Sequence, residues 1–240
     1  MGVLDELEWV RRARAEGEEG ETVIPEPGLD AVTIDAVEHR LGVPLPTDLR
    51  ALLGVCHGIR GLEWEIDFTG TLGFEMAEVF PHGLPIVGDH TGNFWVVDCV
   101  TTPEAEASVF YACHDPPVML WQCRGMATFL RELRRKFASQ ERSALDEVYD
   151  ERALRVWRAP PVTMSRSAAL HAPDDTLRAF ASALTDEWSI IDLRAATPGM
   201  GFAWGRCEYP TGLRRYREER LFACAFPQRR TSILSRLLSR

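Results

Sequence analysis

Lysine is nearly absent from this 240-residue chain: of its 27 basic side chains, Lys136 alone is not arginine. We read that bias as base composition and draw no chemistry from it. Long apolar runs are missing too. None approaches the roughly 18 residues of a membrane-spanning helix, so no span is expected. The first residues, Met1 to Arg12, turn acidic before basic and hold no apolar leader core, so a cytoplasmic protein is expected. Glu6 stands where N-myristoylation needs Ser or Thr. The cysteines, at 56, 99, 113, 123, 207 and 224, include no pair at CxxC spacing, and most lie in apolar runs such as Ala223-Cys224-Ala225-Phe226. They read as reduced, buried small hydrophobes, with no zinc site.

Sequence signatures of catalysis are equally scarce. There is no GxSxG, Walker loop, HExxH or GxGxxG. His90 lies near Asp89 and Asp98, and His114 precedes Asp115. A His–carboxylate pair can serve as a general base, but a catalytic centre also needs a nucleophile or a metal. Both histidines therefore read as turn residues, with Asp115 bonding nearby backbone amides. The stretch Asp89–Asn93 offers only two obvious oxygen donors, too few for calcium. It reads as a hairpin turn in which Gly92 supplies a positive φ. No catalytic residue, metal or cofactor is expected.

What is present is an ordinary globular composition, 45% hydrophobic and 26% charged, with an uneven charge distribution. Residues 1–150 carry 27 acidic and 12 basic side chains, a net of −15, whereas residues 151–240 carry 9 and 15, a net of +6. An acidic first part repels nucleic acid and attracts a basic protein, although the same charge also serves solubility. Its most concentrated segment holds Glu63, Trp64, Glu65, Asp67, Glu75 and Glu78. Two readings stand. Either the acids meet a basic partner around a Trp64 anchor, or Trp64 packs into the core and the acids form a solvated face.

Periodicity places the elements. A helical stripe runs through Leu4, Leu7, Val10 and Ala13, followed by a polar acidic loop at 16–21. Asp30 or Thr33 can cap a helix with Ile34, Val37 and Leu41 on one face, stopped by Gly42. After Pro44 and Pro46, Thr47 can cap a second helix through Leu49, Leu52, Leu53 and Cys56, ended by His57-Gly58. Strands are expected at 72–80, 84–87, 94–98, 108–113 and 118–122, then a helix from Met126 with Phe129, Leu130, Leu133 and Phe137 inward. Helices, then strands, then a helix make an α+β plan with an antiparallel sheet.

The run Ile34 to Arg50, with Leu41-Gly42, Leu45-Pro46 and the later His57-Gly58, resembles the opening of the SUKH superfamily, which includes the Smi/Knr cell-wall regulators of yeast. Gly88 to Asp98 resembles that family's second signature, a glycine turn followed by a strand ending in Asp. Val109-Phe110-Tyr111 and His114-Asp115 resemble its next strand. The resemblance covers about residues 28–140. It implies a twisted antiparallel sheet flanked by helices. It also implies a non-enzymatic bacterial immunity protein that binds and neutralises a cognate toxin, often a nuclease. A regulatory scaffold of the same fold is the alternative.

The remainder resembles nothing we can name. Residues 141–154 read as an acidic linker, and 155–240 as a small α+β extension: a strand at 155–157, a helix from Pro173, strands at 188–193, 202–209 and 221–226, and a basic amphipathic tail at 229–238. Residues 1–27 stand apart as an N-terminal helix and loop. The expected partner is a basic protein toxin, contacted through Glu63, Trp64, Glu65, Asp67, Glu75 and Glu78.

Overall fold

The computed structural model describes residues 2–9, 23–74, 76, 78–100, 106–139 and 141–226. The acidic loop at 16–21, Glu75 and the basic tail at 229–238 lie outside the described residues.

Strand β1 (Ile24–Pro27) leads into helix α1 (Ala31–Leu41). Asp30 caps α1 by accepting a hydrogen bond from the Thr33 amide at 2.8 Å, and Gly42 ends it at φ 79°. Helix α2 (Thr47–Leu53) buries Leu49, Leu52 and Leu53 completely. It stops at Leu53 rather than continuing through Cys56, which instead begins β2 (Cys56–Arg60). The backbone of β2 is taken up by β1, with Pro25 opposite Ile59 and Pro27 opposite Cys56. Prolines fit there because β1 is an edge and needs no outward donors.

Among the described residues the large sheet has eight strands in the order β1-β2-β3-β4-β5-β6-β7-β10, the last at Gly201–Phe202, each antiparallel to its neighbours. Its central members are β3 (Glu65–Asp67), β4 (Gly83–Gly88), β5 (Phe94–Asp98), β6 (Ser108–His114) and β7 (Pro117–Arg124). The described residues of 72–80, expected as a strand, pair with no other strand, and Glu78 and Val79 form a turn instead. The apolar side chains Met76, Val79 and Phe80 plug a core rather than line a ladder.

Helix α3 (Met126–Ala138) follows. Residues 141–157, expected as linker and strand, are mostly helical: α4 (Ala144–Asp146), a π-helical turn (Glu147–Arg152) and α5 (Ala153–Arg158). Leu145, Val148 and Ala153 are buried, while Glu147–Arg152 and Glu151–Arg155 pairs face outward. That is a helical period masked in sequence by its charges.

The C-terminal residues build a second sheet, β11-β12-β9-β8, from β8 (Met164–Ser165), β9 (Trp188–Asp192), β11 (Leu213–Arg215) and β12 (Leu221–Ala225). Helices α6 (Arg166–Leu170) and α7 (Asp175–Ser182) cover its outer face. Of the strand expected at 202–209, only β10 (Gly201–Phe202) pairs, and it pairs with β7 of the large sheet. A Cβ at Gly201 would fall 1.9 Å from the Met119 carbonyl oxygen, so only glycine allows this approach.

Four layers result. Helices α1–α5 cover one face of the large sheet around Leu52, Trp95 and Leu133. Its other face, through Val96, Phe110 and Met119, packs on Phe222 and Ile191 of the small sheet, which α7 covers in turn. Alternating side chains on β5, β6 and β12 thus serve two cores each, which is why these strands are apolar on both faces. The cysteine expectation needs correction here: Cys207 and Cys224 are joined in a disulfide, while Cys56, Cys99, Cys113 and Cys123 are buried thiols.

Candidate protein-binding site

The period of β3 and its flanks divides the acidic segment. Trp64, Ile66 and Phe68 turn inward, while Glu63 and Glu65 turn outward. The Trp64 ring lies against Trp95 at 4.4 Å, Phe137 at 5.5 Å and Tyr149 at 5.6 Å. At 6% exposure it is packed in the core rather than projecting from the surface.

Lys136 Nζ covers that ring at 4.1 Å and pairs with Glu63 at 3.1 Å and Asp146 at 2.9 Å. Burial works against the Lys136 ammonium, but the Asp146 and Glu63 carboxylates outweigh it and hold its pKa above the usual lysine value. Glu65 is exposed, with His90 Nδ1 3.9 Å away. Asp67 is half-buried and serves its own loop. It accepts from the Thr69 amide at 2.8 Å and hydroxyl at 2.6 Å, and from the amide and hydroxyl of Thr71. Burial would raise the Asp67 carboxyl, yet these donors bring it below the ordinary carboxylate range. Glu78 is elsewhere, accepting from the Tyr209 hydroxyl at 2.9 Å.

Glu65 and Asp67 line a groove of about 720 Å³, floored by Ile59 and Ile66 and reaching Trp64. At its far end Glu26 holds His57 Nε2 at 2.9 Å and Arg60 Nε at 2.6 Å, and His57 Nδ1 lies 2.5 Å from the Pro27 carbonyl oxygen. Glu26 and Arg60 were not singled out in sequence, and His57 only as the end of a helix and part of the SUKH resemblance. Only the β1–β2 register brings position 26 beside 57 and 60, and no local pattern announces that pairing.

The turn at Asp89 is closed as expected. Its carboxylate accepts from the amides and side chains of Thr91 and Asn93 and from the Tyr149 hydroxyl. Gly92 has φ 89°. The His114 amide donates to Asn93 Oδ1 at 3.0 Å, and its Nδ1 lies 3.3 Å from the same oxygen. Among the described residues, no group of three His, Cys, Asp or Glu side chains is placed to hold a metal. No described helix is long and apolar enough to cross a membrane.

Residues 28–132 match the SMI1 / KNR4 family (SUKH-1). This chain carries a SUKH-superfamily domain. No curated protein matches the sequence. The SUKH match begins after β1 and ends within α3, so it takes in the groove's β2 and β3 but not Glu26. It also leaves out the later helices, β10 and the whole small sheet. Kinship with the SUKH superfamily is consistent with the immunity-protein superfamily and points, at a coarse level, to protein partners.

Proposed function

We propose that this chain is a non-enzymatic immunity protein that binds and neutralises a cognate toxin domain in the cytoplasm, with a basic toxin surface seated on the β2–β3 groove. The observation that carries the reading is the outward placement of Glu65 in the groove of the SUKH domain, above an apolar floor, with the exposed Glu63 outside it and paired to Lys136. Carboxylates there occupy the positions that phosphates would take in the cleft of a nucleic-acid-directed toxin. Their field speeds encounter and fixes the register of the two surfaces. Glu75 belongs to the same acidic segment by sequence. In this reading Trp64 props β3 from beneath, and Asp67 shapes the loop. His90 and His114 have no chemical step to perform.

The test is expression of the full chain in cells carrying a toxin gene encoded beside its own. Protection is expected. The Glu63→Gln/Glu65→Gln pair should slow association about tenfold at low salt, with little effect at high salt. Asp67 is left intact because it closes the Thr69–Thr71 loop, and the rates are compared at matched folded fraction because Glu63 also holds Lys136. No protection, or salt-independent association that tolerates the double neutralisation, overturns the reading. Capture of a resident cellular protein without any toxin would favour the scaffold alternative.

A further inference from the structure

A second concavity, about 160 Å³, opens where the large sheet meets the C-terminal extension. The SUKH domain contributes Phe74, Met76, Phe94 and His114, and the extension contributes Trp204 and Tyr209. Phe74 stands edge-on to Phe94 at 5.8 Å, and Trp204 edge-on to Tyr209 at 5.3 Å. The polar atoms of the second pair are committed. Trp204 Nε1 donates to the Cys113 carbonyl at 3.0 Å, and the Tyr209 hydroxyl donates to Glu78 at 2.9 Å. What these residues offer the pocket is ring surface, held in place at both ends.

Several aromatic rings elsewhere carry one of the protein's own cations. Arg214 lies over Trp188 at 4.6 Å, Arg206 over Trp157 at 5.1 Å and Arg220 over Trp121 at 5.3 Å. Among the described residues, none stands over Phe74, Phe94 or Trp204. An aliphatic side chain would fill the same volume. The charge decides between the two: Glu78 sets an exposed carboxylate beside the Tyr209 wall.

We propose that this pocket receives an arginine side chain of a protein partner. The methylene stem packs on Met76 and the phenylalanines, and the guanidinium meets the aromatic rings beside Glu78. Arginine suits the site better than lysine because its planar, weakly hydrated head stacks on rings. The site is distinct from the groove and does not depend on the partner being a toxin. It also gives the extension a role, since Trp204 and Tyr209 complete the cage.

The test uses the full chain, isotopically labelled, titrated with N-acetyl-arginine methylamide and separately with N-acetyl-norleucine methylamide. A saturable shift of the Trp204 indole resonance is expected with the arginine probe, and binding at least about 3-fold weaker with norleucine. Glu78→Gln should weaken the arginine probe about 3-fold, and Trp204→Leu should remove its binding. Glu78 is exposed, so its variant and the two probes decide the matter even if Trp204→Leu fails to fold. Equal binding of both probes, no saturable shift with either, or shifts confined to the groove around His90 would overturn the proposal and leave the groove reading untouched.

Discussion

Asp98 and Arg215, 117 residues apart, form a bidentate ion pair at 2.7 and 2.6 Å with side chains only 3% and 4% exposed. The pair joins the end of β5 in the SUKH domain to β11 in the extension. Burial pushes the Asp98 carboxyl up, and the Arg215 guanidinium opposes it. Arg215 also donates to the carbonyls of Val79, Glu218 and Glu219, so its fork is filled. The Asp that ends the strand in the SUKH signature is therefore, in this chain, the seat of the second sheet.

Removing one partner should strand a buried charge. Arg215→Met alone should destabilise the fold by about 3–5 kcal/mol, whereas Asp98→Leu with Arg215→Met should recover much of that loss. Urea unfolding of the two singles and the double checks it. Simple additivity would show that the pair is not coupled.

Trp64 and Leu52 should behave as core residues. Leu52→Ala is expected to cost about 2–5 kcal/mol and Trp64→Ala about 3–5 kcal/mol. Binding of any partner by Trp64→Ala must be compared at matched folded fraction. A Trp64 variant of normal stability with lost binding would return that residue to the interface.

The Asp89 carboxyl is pulled two ways: burial raises it, and hydrogen bonds from Thr91 and Asn93 bring it below its ordinary 3.8. A carboxyl depressed on folding contributes stability that is complete above the unfolded value and is lost as pH falls through the folded one. Stability should therefore decline below about pH 3.8, with Asp67 and Asp146 acting in the same direction. Asp89→Asn should be less stable at neutral pH and flatten that acid limb. An unchanged slope in thermal unfolding against pH would contradict the assignment.

Four thiols should react in urea without reductant and six after reduction, with Cys207 and Cys224 making up the difference. Alkylation in intact cells, before extraction, decides whether that pair is closed where the protein works. Six reactive thiols at that stage would fit the cytoplasmic reading. Four would favour an oxidising compartment.

Local signals determined much of the SUKH domain. Asp30, Gly42 and the Leu49-Leu52-Leu53 face act through neighbours within a few residues, so cap, stop and apolar stripe are legible in the chain itself. The strands at 84–87, 94–98, 108–113 and 118–122 were legible for the same reason, each bounded by its own turn residues. What only the tertiary structure decided depends on partners distant in sequence. Cys56 is strand because β1 pairs with it, and residues 144–158 are helical because Leu145, Val148 and Ala153 meet the sheet. Gly201 adds an eighth strand because Met119 is waiting there, and Cys207 meets Cys224 because the next residue, Glu208, donates its amide to the Ala225 carbonyl at the end of β12. The candidate surfaces divide the same way. The acids at 63 and 65 were visible as charge, but inward Trp64, the Glu26–His57–Arg60 cluster and the aromatic pocket exist only after register and layer packing bring remote residues together. A pairing energy between positions tens of residues apart leaves no periodic trace in either stretch.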